Sequence, residues 1–266
     1  MIEIDRIYNE DCLETMRRMP DGFVDLTVTS PPYDNLRTYN GYSFDFENVA
    51  KSLYRVTKGG GVVVWVVNDA TINGSETGTS FRQALFFKEC GFNLFDTMIY
   101  ARHKGASGNN KAYWQGFEYM FVLAKGEPKT INLICDVHHG VFEKMCHDRQ
   151  KDGTIKKRMV KLTERDSRRT NIWHYATGLN QSTKDLEAFK HPAIFPEKLA
   201  ADHIYSWSDV GGGSLRPVPR LRHNGEDGRA LSSAFHRLGN QQGVFRHRPA
   251  AHRRRTQTTL AVLNNF

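Results

Sequence analysis

Apolar residues recur at Phe46, Val49, Ala50, Leu53 and Tyr54, the spacing of one helix face, with Asp45 placed to cap the helix and Gly59-Gly60-Gly61 placed to stop it. The pattern then changes to an unbroken apolar run, Val62-Val63-Val64-Trp65-Val66-Val67. Such a run predicts an inner strand of a parallel sheet, covered on both faces. The alternation repeats: Ser80 to Cys90 reads as a helix closed by Gly91, and Phe92 to Ala101 as a further strand. Upstream, Ile7 to Phe23 reads as strand, helix and turn, leading into a strand Val24-Asp25-Leu26-Thr27-Val28-Thr29. Helices and strands in alternation predict an α/β fold with a doubly wound, mainly parallel sheet.

Further along, the period weakens. His103 to Lys111 is small, polar and basic, and reads as a mobile loop at the ligand end of the sheet, either closing over a partner or lying on the surface. Tyr113 to Lys125 is rich in aromatic residues, of which Phe117, Tyr119 and Phe121 read as core. From about Gly126 to Thr170 charge rises, and Lys151, Lys156, Lys157, Arg158, Lys161, Arg165, Arg168 and Arg169 cluster. Two readings stay open there: a phosphate-contacting surface, since Lys and Arg neutralise backbone charge, or a solvated charged lobe. Cys135, His138, His139, Cys146 and His147 match no standard metal-ligand spacing, so no metal is expected. Pro196 stands at a helix start followed by Leu199, Ile204 and Trp207.

A chain of 266 residues suits one large α/β domain with insertions. The longest apolar run is far short of a membrane span, and Met1-Ile2-Glu3-Ile4-Asp5 lacks the build of a signal peptide, so a cytoplasmic protein without a membrane partner is expected. Cys12, Cys90, Cys135 and Cys146 are scattered, which reads as reduced thiols. The formal charge of +8 sits in one place: residues 1–212 hold 27 Lys+Arg against 27 Asp+Glu, whereas residues 213–266 hold ten Arg, no Lys, and only Glu226 and Asp227 as acids. With fifteen lysines before it, that tail marks a change of coding statistics as much as a change of domain.

The candidate chemistry lies at Ser30-Pro31-Pro32-Tyr33, directly after the strand Val24 to Thr29. Two prolines lock φ and supply no N–H, so the chain leaves the sheet in a fixed direction with its carbonyls free to accept. Ser30 and the Pro31 carbonyl suit the two N–H bonds of an exocyclic amine, and Tyr33 offers a flat face for a planar base. Read alone, the same four residues make a Pro-Pro turn with Tyr33 as cover.

With the preceding Ile7-Tyr8-Asn9-Glu10-Asp11-Cys12-Leu13-Glu14 and Met19 to Leu26, this motif resembles that of the beta-class amino-methyltransferases of DNA, which move a methyl group from S-adenosylmethionine to cytosine N4 or adenine N6. The resemblance covers most of residues 1–212. It implies a Rossmann-like methyltransferase fold with circularly permuted motif order, and S-adenosylmethionine as cofactor. Serine before Pro-Pro-Tyr is similar to the cytosine-N4 branch; adenine N6 is the alternative. The implied catalytic residues are Ser30, Pro31, Pro32 and Tyr33. Asp11 resembles the carboxylate that accepts from the cofactor adenine, although it equally suits the cap of a helix starting at Cys12. His191-Pro192-Ala193-Ile194-Phe195-Pro196 resembles the motif at the cofactor's methionine end, through His191, Pro192, Phe195 and Pro196. By its position, the basic region resembles a target-recognition region, implying double-stranded DNA contact by Lys151, Lys156, Lys157, Arg158, Lys161, Arg168 and Arg169. A cognate restriction endonuclease is a candidate partner.

In this family branch a glycine loop of the form Asp-Pro-Phe-x-Gly-Ser-Gly-Thr-Thr comes after the His-Pro-Ala-Ile-Phe-Pro helix. Here that place reads Gly213-Ser214-Leu215-Arg216-Pro217-Val218-Pro219-Arg220. Joining the last two bases of each codon to the first base of the next, with permitted synonymous choices, converts Arg216 through Gly228 into Asp-Pro-Phe-Leu-Gly-Ser-Gly-Thr-Thr-Ala-Lys-Met-Ala. The same phase converts Gly239 through Arg255 into Glu-Ile-Ser-Lys-Glu-Tyr-Phe-Asp-Ile-Ala-Gln-Arg-Arg-Ile-Asp-Ala. The expected organisation is therefore a catalytic region at 1–125, a target-recognition region at 126–172, a return to the catalytic domain at 173–211, and an out-of-frame, poorly packed tail at 212–266. Two function classes remain: an active site-specific methyltransferase, or an inactive remnant that binds DNA. Methylation of RNA or protein amines is a third.

Overall fold

The run Val62 to Val67 lies in the middle of the sheet, as its composition requires, with no residue in it more than 1% exposed. The structure, a computed structural model, describes residues 2, 6–32, 44–106, 113–178, 182, 196–209, 214–215 and 261–264. Its elements in chain order are β1 (Arg6–Asn9), α1 (Cys12–Arg17), β2 (Val24–Thr29), α2 (Phe46–Val56), β3 (Thr57–Val67), β4 (Thr71–Ile72), β5 (Ser75–Glu76), α3 (Thr79–Glu89), β6 (Asn93–Ala106), β7 (Gln115–Ala124), β8 (Cys135–His139), β9 (Phe142–Arg149), β10 (Ile155–Leu162), β11 (Arg165–Arg168), β12 (Ile172–Tyr175), α4 (Glu197–Trp207), β13 (Ser214–Leu215) and β14 (Ala261–Asn264). These form two compact units, residues 133–170 and the rest.

The larger unit is organised by a six-stranded sheet in the order β12-β6-β7-β3-β2-β13. β12 pairs parallel with β6, β3 with β2, and β2 with β13; β7 runs antiparallel between β6 and β3. Every strand but β7 therefore points the same way, and the mainly parallel sheet is as expected. Helices cover both faces. On one, α1, α2 and α3 bring Met16, Leu53 and Phe87 against Val63, Trp65 and Phe121. The Trp65 indole N–H donates to Gln83 Oε1 at 2.8 Å, so the largest side chain in the strand is satisfied as well as buried. On the opposite face α4 places His203 against Met120 of β7 and over Trp173 of β12. Burial pushes the His203 imidazole down to about 3, and it is neutral in the core. It accepts the Trp207 indole N–H through Nδ1 at 3.1 Å, leaving its proton on Nε2, directed at the Met120 sulfur.

The helices start and stop largely where their residues dictate. Asp45 caps α2 by accepting the Asn48 N–H, and Gly91, at φ +108°, ends α3 where an added Cβ would lie 2.8 Å from the Tyr54 ring. Two expectations differ. Gly59-Gly60-Gly61 does not form a separate stop, because β3 begins already at Thr57 and carries the glycines inside it. The reason is close approach: a Cβ on Gly61 would meet the Asp25 carbonyl oxygen at 3.0 Å, and Gly60 exchanges backbone hydrogen bonds with Lys125 and Lys129 at 2.7 and 2.9 Å. The loop expected from His103 begins later, since β6 continues to Ala106 by pairing with Gln115; residues 107–112 lie outside those described.

Residues 133–170 by themselves form two antiparallel pairs, β8 with β11 and β9 with β10. Strands in a stretch without apolar period arise because alternation there is between polar and semi-polar residues, which leaves no buried face to announce it. The turn from β9 to β10 is closed by the Gln150 N–H to the Thr154 carbonyl at 2.8 Å, with Gly153 at φ +88° and Asp152 accepting the Thr154 N–H. The boundary expected at 126–172 tightens to 133–170, because Asn132 belongs with α4, donating its N–H to the Ser206 carbonyl at 2.8 Å. Among the described residues no helix is long and apolar enough to cross a membrane.

Candidate active site

Parallel strands deliver their carboxyl ends to one edge of the sheet, which is where an open α/β sheet binds ligands. Ser30 comes directly after the last residue of β2 at that edge, half-buried, with Pro31 buried and Pro32 half-buried beside it. β2 is held rigidly: its neighbour β3 pairs with it from Leu26↔Val62 to Thr29↔Trp65, and Lys58 Nζ donates to Asp25 at 2.6 Å. The strand's carboxyl end is polar inside as well, since the buried Thr27 and Thr29 hydroxyls have no hydrogen-bond partner among the described residues. Tyr33, His191, Pro192 and Phe195 lie outside the described residues.

Two further groups share the edge. β3 ends in Asn68-Asp69, where Asn68 is 8% exposed and accepts from Gln115 Nε2 at 3.2 Å. Asp69 reaches past β4 and β5 to cap α3: its carboxylate accepts the Ser80 N–H at 2.9 Å and the Ser80 hydroxyl at 2.5 Å. Across the neighbouring β6–β7 pair, Arg102 donates to the Gln115 carbonyl at 3.0 Å and faces Glu118 at 3.6 Å. The Tyr100 phenol below them is pushed upward by burial first and by Glu118 second. This mesh pins the start of β7, so Tyr113 and Trp114, both exposed, stand on a fixed base at the ligand edge. Sequence reading passed over Asn68, Asp69 and Arg102; the available signal for the first two was polar residues placed immediately at the end of an apolar strand. Phe121 is core as expected, while Tyr119 and Phe117 are half-buried, Tyr119 stacked on Phe121 at 5.4 Å and Phe117 edge-on to Tyr119 at 5.3 Å.

Asp11 caps α1, accepting the Leu13 N–H at 2.7 Å from the carboxyl end of β1. The cap role is thus observed, and it leaves a carboxylate half-exposed at a strand end. Beside it, burial and the Asp11 charge push the Cys12 thiol up to about 12, an inert packing group. Pro196 is buried at the N-cap of α4, whose Leu199 and Trp207 are buried as the periodicity implies. For a nucleotide-type cofactor the residues present fit on one side only. β13 offers two residues, and the chain runs on as Arg216-Pro217-Val218-Pro219, in which both prolines lack the N–H donors a phosphate- or ribose-cradling loop needs. Among the described residues such a site is not complete.

The basic cluster divides once it is folded. β10 alternates, so Lys156 and Arg158 face one side of the β9–β10 pair and Lys157 and Lys161 the other. Arg158 is held by Asp148 at 2.6 Å, Lys161 by Glu143 at 3.1 Å, and Arg169 by Asp136. Lys151, Lys156, Lys157 and Arg168 are exposed and form no ion pair among the described residues. His138 and His139 are bound to Asp166 and Ser167 at 3.1 and 2.7 Å, and no cluster suited to a metal exists among the described residues.

Comparison with known proteins gives a consistent answer. A family model described as DNA methylase, covering N6 and N4 enzymes, matches residues 24–214. The orphan methyltransferase M.BamHII of Bacillus amyloliquefaciens is 49% identical over 236 residues, spanning 84% of this chain and 89% of the relative. Among solved structures, the cytosine-N4-specific PvuII DNA methyltransferase superposes with a TM-score of 0.60 at 14% identity, covering 98% of this chain and 82% of its own. An M1.HpyAVI–SAM complex superposes with a TM-score of 0.51 at 15% identity, covering 98% and 92%.

Proposed function

Because the chain belongs to the N6/N4 DNA methylase family, we propose that its Ser30 edge holds the exocyclic amine of a base in double-stranded DNA for methylation, cytosine N4 in preference to adenine N6. The observation that carries this is the position of Ser30-Pro31-Pro32 at the carboxyl end of an inner strand, half-buried, with proline-fixed carbonyls. An amine paired within a duplex is out of reach, so the base must leave the stack first. The Ser30 Oγ and the Pro31 carbonyl then accept its two N–H bonds, which turns the nitrogen lone pair outward. Tyr33 supplies a stacking face, an assignment that rests on the motif, and base–aromatic stacking contributes about 1–3 kcal/mol. The donor of the methyl group is S-adenosylmethionine, the molecule in the M1.HpyAVI complex. N4 is favoured by serine before Pro-Pro-Tyr and by the N4-specific enzyme that shares the fold.

Contact with the DNA backbone falls to residues 133–170, chiefly Lys151, Lys156, Lys157 and Arg168, which have no acidic partner among the described residues. A cognate endonuclease is not part of the proposal, since the M.BamHII relative is described as an orphan. Ser30→Ala tests the reading in a chain whose cofactor loop is complete: the methylation rate should fall by about 100-fold or more while cofactor affinity holds, as for an interaction made at the reacting group. Mass spectrometry of digested DNA should show N4-methylcytosine. N6-methyladenine alone would move the enzyme to the other branch, and an unchanged rate would remove Ser30 from the chemistry.

A further inference from the structure

We infer that residues from about 212 onward are translated in the wrong reading frame, so that the chain holds the base-binding half of a methyltransferase with the cofactor-binding half overwritten. The inference rests on the methyltransferase reading, but its evidence is separate and lies on the far side of β2. The first observation is that the family match ends at residue 214. Among the described residues, β13 pairs Ser214 and Leu215 with Leu26 and Thr27 of β2. In the sequence that follows, Arg216-Pro217-Val218-Pro219, the two prolines lack the N–H donors of a strand ladder.

The second observation is a strand slot filled from the wrong place. β1 leads through α1 to β2, but it takes no ladder from the six-stranded sheet; its partner is β14, in parallel register from Arg6↔Ala261 to Asn9↔Asn264, and β14 lies beside β13. The lateral order β1, β14, β13, β2 therefore has room for one strand between β13 and β1, and Ala261–Asn264 occupies it. A parallel strand in that slot is ordinarily reached from β13 by a turn and a right-handed helical crossover. Residues 216–260 supply instead a segment that holds all ten of the tail's arginines and no lysine.

Shifting the frame by one base supplies each missing part in order. Codons 216–228 then encode Asp-Pro-Phe-Leu, which extends β13; Gly-Ser-Gly, which lets backbone approach a ligand and offers N–H donors; and Thr-Thr-Ala-Lys-Met-Ala, which opens a helix. Codons 239–255 in the same phase begin Glu-Ile-Ser, a strand for the slot beside β1, and continue as Tyr-Phe-x-Ile-Ala-x-x-x-Ile, a helical spacing. Free third bases make any one match easy. A match sustained in one phase, which restores a strand, a glycine turn, a helix and a second strand where the sheet has places for them, is not.

Two measurements decide it. The nucleotide sequence across codons 205–266 should read the glycine turn in the shifted phase; codons that do not would overturn the inference outright. Calorimetric titration of S-adenosylmethionine into the full chain as written, and into the same chain with the frame restored, should show micromolar binding by the restored protein. Binding by the chain as written should be weaker by roughly 100-fold, as expected for two lost charge-assisted backbone hydrogen bonds. Equal affinities overturn the inference. A restored chain that binds the cofactor but methylates no DNA would instead overturn the proposed function and leave the frame intact.

Discussion

β3 and the β9–β10 pair are strands of similar regularity with opposite surroundings. Val62 to Val67 are buried on both faces, whereas in β9 and β10 Met145 is 49%, Ile155 55% and Met159 62% exposed, among lysines. Regular hydrogen bonding alone therefore does not distinguish structure from interface; the side chains between the ladders do. A two-stranded ribbon is at best marginal in water without a covering layer, and under the proposed function the lysines and exposed methionines of this one meet a charged, partly apolar partner. A DNA groove offers that combination, phosphates at its rim and thymine methyl groups at its floor.

The contrast can be broken most decisively by truncating one residue in each strand. Trp65→Ala should cost about 3–5 kcal/mol, with the loss of packing and an orphaned Gln83 amide oxygen, while Met159→Ala should stay within about 0.5 kcal/mol; urea unfolding of both variants measures this. Similar losses would show that the ribbon is part of the cooperative core after all.

Acid comes next. Burial holds His203 near 3 against an ordinary value of 6.5, so its stabilising neutrality is complete above 6.5 and is lost as pH falls toward about 3, because the unfolded chain takes up the proton first. His203→Gln removes that titration. The drop in unfolding midpoint between pH 7 and pH 4.5 should be smaller in the variant than in the parent; an equal drop would assign acid sensitivity to carboxylates alone.

A finer distinction lies within the ribbon. Each lysine that neutralises a phosphate contributes about 0.9 to the slope of log affinity against log salt. Lys156→Gln and Lys157→Gln should each flatten the slope by up to about that amount, and Arg158→Gln by less, because Asp148 already holds it. Filter binding across a salt series reads the difference. Since Lys156 and Lys157 point to opposite faces, a response from only one of them identifies the face that meets DNA.

Much of the larger unit could be read from its residues. Asp45, Val62 to Val67, Gly91 and Pro196 carry local signals, and each does in the structure what its chemistry implies. The place of Ser30 at the end of a strand was legible because prolines and a strand leave little conformational choice. What escaped were features set by tertiary approach. Gly59 to Gly61 read as a stop, yet they lie in a strand, and at Gly60 and Gly61 Lys129 and Asp25 come too close for side chains. The Asn68–Gln115 and Asp69–Ser80 bonds join residues far apart in sequence, which no local pattern encodes. The basic cluster looked continuous in sequence, and strand alternation divides it between two faces.

The ladder β6-β7-β3-β2 draws only on residues 24–124, and its β6–β7 member is a local hairpin. Local pairing closes quickly, and domains begin to fold from the end synthesised first. On the ribosome this part of the core is complete before codon 212 is decoded. A reading error at that point is therefore met by a chain that already has a buried centre and a formed Ser30 edge, which spares it from the fate of a wholly misfolded product.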